Sequence, residues 1–494
     1  MPGSDFQSAV DYLHSLGELG WKLGLERFAA LCARLGNPQE KFRSIHIAGT
    51  NGKGSTAAMV SAILKSAGHK VGSYYSPFVY DIRERVVLNG EMIPEADFAR
   101  LVNFIRPHAE AVAQTEHGHP TEFEFKTALG FLYFVEQKVD FAVLEVGLGG
   151  RLDATNIVDP LVSAITNVAM DHTEHLGNTI AEIAAEKAGI IKQNGHLVTA
   201  VSDPEAFEVI RRTCEERNSV LWCVRHADDS PECHLTVRDG ASESQPDHRV
   251  GANEDSENRR SPSGASGSQP DHVACDPGRR ASAAANFLSP LHVDGVHATY
   301  ADLRVAMCGG FQHINAALAV GIAEALQTKG IVIPESAMRS GLETAHLPGR
   351  LEVLREKPTL LIDGAHNLDA ARNLAQALEN WFKFDKLILV MGMVKGHSVE
   401  DVVGILAPLA DEFIATAPSS PRAASAASIA DAAKKHCPDV SIVEPVSEAV
   451  RTALDSASEN DLVLVTGSFY TIGEVPRGNG RWSTVDGQWL MADD

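Results

Sequence analysis

A glycine-rich segment near the start of the chain has residue types suited to holding phosphate groups. Residues 46–56 read HIAGTNGKGST, at a point where an apolar strand pattern gives way to a helical one. In such a turn, backbone N–H groups and a helix N-terminus point at a phosphate, Lys53 neutralises charge and Ser55 can ligate Mg²⁺. The strict phosphate-loop pattern does not hold, because Ile47 stands at its first glycine position and Gly54 separates Lys53 from Ser55. A tight Gly/Asn turn without a ligand is the alternative.

Two further polar residues stand where strand-like runs end. Glu145 closes one apolar run, and His172 follows the next. Open α/β sheets bind ligands at the carboxyl ends of their strands, and a carboxylate at such an edge suits Mg²⁺. Taken alone, Glu145 is equally well explained as an ion-pair partner. Taken alone, His172 is better explained as a hydrogen-bonded surface imidazole, because imidazole is not a preferred Mg²⁺ ligand.

The elements that must position these residues alternate along the chain. Apolar spacing predicts strands at 43–48, 70–75, 140–145, 161–167 and 196–201, and helices at 55–67, 96–113, 123–139, 180–190 and 204–217. A helix at 312–326 precedes a second alternation, with strands at 351–354, 359–363, 386–391, 412–416, 440–443 and 462–466. This pattern is typical of an α/β protein: a P-loop type, doubly wound, mainly parallel sheet domain followed by a smaller Rossmann-like α/β domain.

We expect two domains, residues 1–345 and 346–494. The boundary falls at the sequence His-Leu-Pro-Gly, because proline and glycine interrupt regular structure. Between Val237 and Phe287 the chain contains no Phe, Trp, Tyr, Leu, Ile or Met, so this segment cannot bury enough apolar surface to offset its ordering entropy. We therefore predict a disordered insertion at about 226–286 and assign it no function.

The composition excludes several classes of function. The 494 residues include 43 Lys and Arg against 65 Asp and Glu, and the net charge of −22 disfavours a nonspecific grip on nucleic acid or an anionic membrane. No apolar run approaches the roughly 18 residues of a membrane span, and the chain starts without a secretory signal. We expect a cytoplasmic protein with no nucleic-acid or membrane partner. The seven cysteines are scattered and indicate reduced thiols, although a zinc site at Cys223, His226, Cys233 and His234 is an alternative for that segment.

Several blocks, in a characteristic order, carry a resemblance to a known family. They read GTNGKGS, EVGLGGRLDATN, TNVAMDH, IAAEKAGIIK, PGRLE, DGAHN and TGSFY, and they cover nearly the whole chain outside the insertion. In this set the chain resembles the Mur ligase superfamily, specifically its folylpolyglutamate synthase and dihydrofolate synthase branch. Phe78 and Phe311 stand where the family usually has histidine, so the folate-side positions match less closely than the nucleotide and metal positions.

The resemblance implies a role for each matched residue. Lys53, Lys187 and His366 are implied to act in catalysis, with Lys187 carbamylated by CO₂. Ser55, Glu145 and His172 are the implied metal ligands. The implied nucleotide-binding residues are Thr50, Asn51, Gly52, Lys53, Gly54, Ser55, Thr56, Gln312, Asn315, Arg350 and Asp363. The implied folate and glutamate side comprises Ser76, Pro77, Arg83, Arg151 and Asp153.

The implied reaction is ATP-dependent amide formation that uses Mg²⁺. ATP phosphorylates a substrate carboxylate, and the amine of L-glutamate then displaces phosphate from the acyl phosphate. We expect a monomeric, bifunctional enzyme whose acceptors are dihydropteroate and folates. The alternatives are an enzyme confined to folate polyglutamylation and, from another class, a nucleotide-binding regulator without catalysis.

Overall fold

The computed structural model describes residues 2–17, 24–227, 234–239, 288–396, 398–477, 482–485 and 488–491. The helices are α1 (Pro2–Gly17), α2 (Glu26–Arg34), α3 (Lys53–Ser66), α4 (Glu95–Ala113), α5 (Glu122–Glu136), α6 (Thr173–Leu176), α7 (Ile180–Ala188), α8 (Pro204–Glu216), α9 (Phe311–Thr328), α10 (Glu335–Thr344), α11 (Leu368–Trp381), α12 (Val399–Leu406), α13 (Ala426–Ala433), α14 (Val446–Ser456) and α15 (Phe469–Gly473).

The strands build a large sheet, a smaller sheet and a terminal hairpin. The first eleven are β1 (Arg43–Ala48), β2 (Val71–Tyr74), β3 (Val86–Leu88), β4 (Glu91–Met92), β5 (Phe141–Glu145), β6 (Val162–Ile165), β7 (His196–Thr199), β8 (Val220–His226), β9 (Leu235–Asp239), β10 (Ser289–Asp294) and β11 (Thr299–Val305). The others are β12 (Glu352–Glu356), β13 (Thr359–Ile362), β14 (Leu387–Met391), β15 (Glu412–Ala415), β16 (Val440–Ile442), β17 (Leu462–Thr466), β18 (Trp482–Val485) and β19 (Gln488–Met491).

The first sheet has eleven strands in the order β11-β10-β9-β8-β7-β6-β1-β5-β2-β3-β4. Its strands from β9 to β2 pair in parallel, and antiparallel pairs form both edges. Both faces are covered, because alternate residues of β5 enter different cores: Phe141 and Val143 pack with α3 and α9, whereas Ala142 and Leu144 pack with α4 and α5. The predicted doubly wound, mainly parallel architecture is confirmed.

The second sheet has six strands in the order β12-β13-β17-β14-β15-β16. Only β12 pairs antiparallel; the other pairs are parallel. Helices α11, α12 and α13 cover one face, and α14 and α15 cover the other. We call the described residues up to 345 the first-sheet region and those from 346 onward the second-sheet region. The predicted domain boundary itself stays a prediction.

The register of the first sheet places the candidate residues side by side. Ile47 of β1 pairs with Glu145 of β5, and Ala48 pairs with Ile165 of β6. Three parallel strands therefore end at the same level, and the segments that follow them meet at one edge. This is the edge at which open α/β sheets bind ligands.

The predicted start of the disordered insertion, near residue 226, is wrong. His226 ends β8, and Leu235–Asp239 form β9, a strand inside the sheet rather than part of a disordered loop. Leu235 and Val237 alternate into the core, which provides the apolar burial that holds this strand. Residues 228–233 and 240–286 of the predicted insertion lie outside the described residues. None of the helices in the described part of the chain combines the length and the hydropathy that a membrane span requires.

Candidate active site

The glycine-rich segment forms a tight loop between β1 and α3. Gly49 (φ +149°) and Gly52 (φ +80°) both have a backbone conformation that favours glycine. A side chain at Gly49 would overlap the Thr166 hydroxyl, and one at Gly52 would lie 2.5 Å from Asn315 Oδ1. The loop therefore follows a path close to its neighbours that larger residues would block, and α3 begins at Lys53 directly after it.

Lys53 sits at the centre of this arrangement. Its Nζ donates to the Thr50 carbonyl oxygen at 2.9 Å. Burial lowers the pKa of Lys53, and the carboxylates of Glu145 and Asp171 act against that shift. A half-buried ammonium held beside two carboxylates is suited to neutralising an incoming anion.

Glu145 ends β5 and is buried against the loop. Its Oε2 accepts a hydrogen bond from the Ser76 N–H at 2.9 Å, and a methyl group on Gly54 would lie 3.2 Å from the same oxygen. Burial raises the pKa of Glu145, and Lys53 is the strongest influence in the opposite direction. The Ser55 hydroxyl, also buried, accepts from Gln312 Nε2 at 3.3 Å.

His172 follows β6 in a left-handed conformation (φ +47°) and lines the same cleft. Its Nε2 lies 4.0 Å from Asp171 Oδ1. Among the described residues, no group of three His, Cys, Asp or Glu side chains is placed to hold a metal. A metal in the cleft would therefore be bound by few protein ligands. At the other candidate site, Cys223 Sγ and His234 Nδ1 lie in contact, but they do not form a zinc site within the described part of the chain.

Lys187 lies on α7 and is buried beneath the loop. Its Nζ donates to the Gly49 carbonyl oxygen at 2.9 Å. Burial lowers the pKa of Lys187 to about 7, with a further contribution from the positive charge of Lys53, while Asp171 acts in the opposite direction. A substantial fraction of this amine is therefore neutral near physiological pH.

The second-sheet region faces this loop with Arg350, Asp363 and His366. The guanidinium of Arg350 stacks on the ring of Phe469, with 4.4 Å from its central carbon to the ring centroid. Asp363, at the end of β13, accepts from the backbone N–H groups of Leu351 and Ala365, each at 2.9 Å. His366 Nδ1 lies 2.7 Å from the Gly364 carbonyl oxygen, so that nitrogen is the protonated one in this contact.

The candidate residues of the first-sheet region and those of the second-sheet region line one cleft of about 2140 Å³. It is lined by Thr50, Asn51, Gly52, Lys53, Ser55, Ser76, Pro77, Glu145, His172, Lys187, Asn315, Arg350, Asp363 and His366. Gln312 lies directly behind this wall, where its Oε1 accepts from Asn315 Nδ2 at 2.9 Å. Thr56 follows Ser55 in α3 and is fully buried.

Three predicted substrate-side residues make other contacts. Arg83 Nη2 pairs with Asp81 Oδ2 at 2.6 Å, and Arg151 Nη2 pairs with Glu186 Oε1 at 2.6 Å on the surface. Asp153 is buried and folds its own loop by accepting from the N–H groups of Gly147, Leu148 and Thr155. Their substrate-binding roles stay predictions.

The structure also adds residues that the motif comparison did not single out. Asn167, Asp171, Asn367 and Asp369 meet at the junction of the two regions, and Phe469 supports Arg350. A partial signal existed in the sequence: Asn167 ends the predicted strand at 161–167 and Asp171 follows it four residues later, and Asn367 is a residue type that favours the N-cap position it holds in α11.

Comparison with known families defines the class of this protein. Residues 47–236 match the Mur ligase middle domain, and residues 349–469 match the Mur ligase glutamate ligase domain. The first match contains the glycine-rich loop and the second contains Arg350 and Asp363. The chain is therefore a Mur ligase, an ATP-dependent enzyme that forms amide bonds.

Individual relatives show which family of Mur ligases includes this chain. The chain is 37% identical to dihydrofolate synthase/folylpolyglutamate synthase of Bacillus subtilis, covering 95% of this chain and 98% of that protein. Its fold is similar to that of folylpolyglutamate synthase of Thermotoga maritima (33% identity, TM-score 0.76, 96% of each chain). It is also similar to the Mycobacterium tuberculosis folylpolyglutamate synthase solved with ADP and AMPPCP (29% identity, TM-score 0.79, 95% and 97% of the chains). The chain belongs to the dihydrofolate synthase/folylpolyglutamate synthase family.

Proposed function

We propose that this protein ligates L-glutamate both to dihydropteroate and to folates, as a bifunctional dihydrofolate synthase and folylpolyglutamate synthase. The observation that carries the proposal is the single cleft in which Lys53 and Glu145 of one region face Arg350 of the other. Glu145 acts electrostatically on both cations, so the two regions contribute to one site. Relatives that match over nearly their full length carry both activities in their names.

The reaction requires activation of a carboxylate, because oxide is a poor leaving group. The carboxylate oxygen attacks the γ-phosphorus of ATP, the bond to the β,γ-bridging oxygen breaks, and an acyl phosphate and ADP form. The glutamate amine then attacks the acyl carbon, phosphate leaves, and the amine loses a proton. We assign Lys53 and Arg350 to charge neutralisation of the phosphates, since positioning and electrostatics dominate phosphoryl transfer.

The residues at the loop fit a magnesium ion. Mg²⁺ commonly takes one or two protein carboxylates and completes its shell with phosphate oxygens and water, and Glu145 with the Ser55 hydroxyl would supply the protein share. His172 lines the same cleft and is the proposed third ligand. When bound, the ion would neutralise charge that develops on the phosphates.

The surroundings of Lys187 fit the proposed carbamate. The neutral amine would attack CO₂, form an N–C bond and release a proton, and the resulting anion would replace repulsion toward Lys53 by attraction. We expect a carbamate resonance in the ¹³C spectrum of protein equilibrated with ¹³C-bicarbonate. Lys187→Met should abolish that signal, and its persistence in the variant would exclude this site.

The test of the proposed function compares two acceptors at fixed ATP and L-glutamate. ADP release should require L-glutamate together with either dihydropteroate or tetrahydrofolate. If ADP is released with tetrahydrofolate but not with dihydropteroate, the enzyme is restricted to polyglutamylation. If ADP is released with neither acceptor, the ligase activity proposed here is excluded.

A matched pair of variants ties the activity to the cleft. Lys53→Met should abolish turnover, whereas Lys65→Met, at the exposed end of the same helix, should leave it intact. Turnover that persists in Lys53→Met would argue for a different active site. A two-domain division near residue 346, a monomeric state and a cytoplasmic location complete the proposal.

A further inference from the structure

A polar network joins the phosphate loop to the N-terminus of α11. Asn51 Nδ2 donates to Asp369 Oδ2 at 2.8 Å, and Asn167 Nδ2 donates to the same oxygen at 3.2 Å. Asn167 Oδ1 accepts from the backbone N–H of Asn51 at 2.8 Å. One carboxylate oxygen of the second-sheet region thus receives two amide groups from the first-sheet region.

Asn367 extends this network to a third segment. Its Nδ2 donates to Asn51 Oδ1 at 3.1 Å and to Asp171 Oδ2 at 2.9 Å, while its Oδ1 accepts from the Ala370 N–H at 2.9 Å and caps α11. Asp369 lies in the first turn of α11, where the helix dipole favours a negative charge. The start of α11 is therefore held both by its own cap and by the phosphate loop.

The position of Asn51 makes these contacts relevant to phosphate binding. It lies between Gly49 and Gly52, and because glycine restricts the backbone less than any other residue, contacts with the surroundings must restrain the loop. A carboxylate that accepts amide hydrogen bonds can supply this restraint, because bonds to a charged acceptor are about twice as strong as neutral ones. Asp369 supplies it only when the second-sheet region lies against the loop.

We propose that Asp369 is a positioning residue: through Asn51 and Asn167, it fixes the phosphate loop in its nucleotide-binding geometry when the second-sheet region closes. Its carboxylate acts on the loop and does not contact the phosphates. This inference rests on the proposed use of the loop for ATP and extends it by naming the residue that couples closure to loop geometry.

Calorimetric titration of the full chain with ATP and Mg²⁺, without acceptor, tests this coupling. Asp369→Ala should raise the Kd for ATP about tenfold and lower the urea unfolding midpoint only slightly. Asp369→Asn should give a smaller increase, because its amide oxygen can still accept from Asn51. Asp401→Ala is the matched control, an exposed aspartate in the first turn of α12, and should bind ATP like the unmodified chain.

A double-mutant cycle separates coupling from two unrelated effects. If Asn51→Ala and Asp369→Ala act independently, their combined effect on Kd is the product of the single effects. The proposal requires a combined effect well below that product. A combined effect on Kd equal to that product, or an unchanged Kd for ATP in Asp369→Ala, overturns the proposal. Failure of the unmodified chain to bind ATP would instead count against the proposed function.

Discussion

Arg350 presents unused hydrogen-bond donors to the cleft. The structure gives its guanidinium no hydrogen bond or ion pair to a described residue, and Phe469 orients it by stacking. Burial lowers the pKa of Arg350, whereas Asp363 and Glu145 act in the opposite direction. A planar guanidinium in this setting can bind two phosphate oxygens at once, which lysine cannot do.

Replacement of Arg350 by lysine should therefore weaken ATP use although the positive charge remains. We expect kcat/KM for ATP to fall about 10- to 100-fold, the range for a lost charged hydrogen bond. Steady-state kinetics with varied ATP measures the loss. Arg372→Lys, on the exposed side of α11, provides the control, and equal kinetics in both variants would contradict the assignment.

Lys187 should make stability depend on pH in carbon-dioxide-free buffer. Its pKa is about 7 in the folded chain, against about 10.4 in an unfolded one. Between these values the unfolded chain binds more protons at this position, so the free energy of unfolding rises with pH. Lys187→Met should reduce this rise between pH 7 and 9, as measured by urea unfolding. An unchanged slope in the variant would show that Lys187 does not titrate as inferred.

At the scale of elements, three parallel strand ends and one helix start define the site. Glu145 at the end of β5 touches the first turn of α3 because Gly54 carries no side chain. A methyl group at Gly54 would lie 2.8 Å from Leu347 Cδ2 and 3.2 Å from Glu145 Oε2. The helix and the strand end can approach this closely only with glycine at that position.

Gly54→Ala should consequently impair catalysis more than stability. Overpacking costs about 1–3 kcal/mol, while alanine recovers roughly 1 kcal/mol of helix propensity. We expect kcat to fall at least about tenfold, because Glu145 must shift, with a small change in the unfolding midpoint.

Gly404→Ala is the control for helix propensity. Gly404 lies inside α12, and a methyl group there meets only His436 Nε2 at 3.8 Å. This variant should be more stable by about 0.5–1 kcal/mol with unchanged activity. Unimpaired catalysis in Gly54→Ala would show that Glu145 tolerates displacement.

At the scale of the whole molecule, the cleft brings several cationic side chains together in a strongly acidic chain. The net charge is −22, yet Lys53, Lys187 and Arg350 line one cleft. The two regions are also joined by packing, because Val79, in the loop after β2, is buried in the core of the second sheet with Ile472. The same loop contains Ser76, whose N–H donates to Glu145 Oε2.

Val79→Ser should loosen this loop and the junction together. Loss of buried methyl groups and burial of a hydroxyl should lower the free energy of unfolding by about 2 kcal/mol. We expect the KM for the acceptor to rise more than the KM for ATP, because the loop lies on the proposed folate side. Val332→Ser, at a position 77% exposed, should change neither. An equal rise in both KM values would argue against a folate-side role for the loop.

Local patterns in the sequence were sufficient for the sheets and for most of the cleft. The spacing of apolar residues predicted β1 at residues 43–48 and β17 at residues 462–466, and the structure confirms both. Strand ends and the glycine-rich turn located Lys53 and Glu145, because the carboxyl ends of parallel strands converge whatever the details of packing. Arg350 was found through the resemblance of its block to the family. The family and its amide-forming chemistry followed from the ordered blocks.

Contacts across the fold could be decided only by the tertiary structure. The sequence alone does not show that Arg151 pairs with Glu186, that Val79 enters the second core, or that β9 lies within the predicted insertion. It also does not show that Asp369 meets Asn51, 318 positions earlier in the chain. Residue type and spacing determine which groups a chain carries to a strand end. Only the packing of distant segments determines which of those groups face each other and which are neutralised by a neighbour.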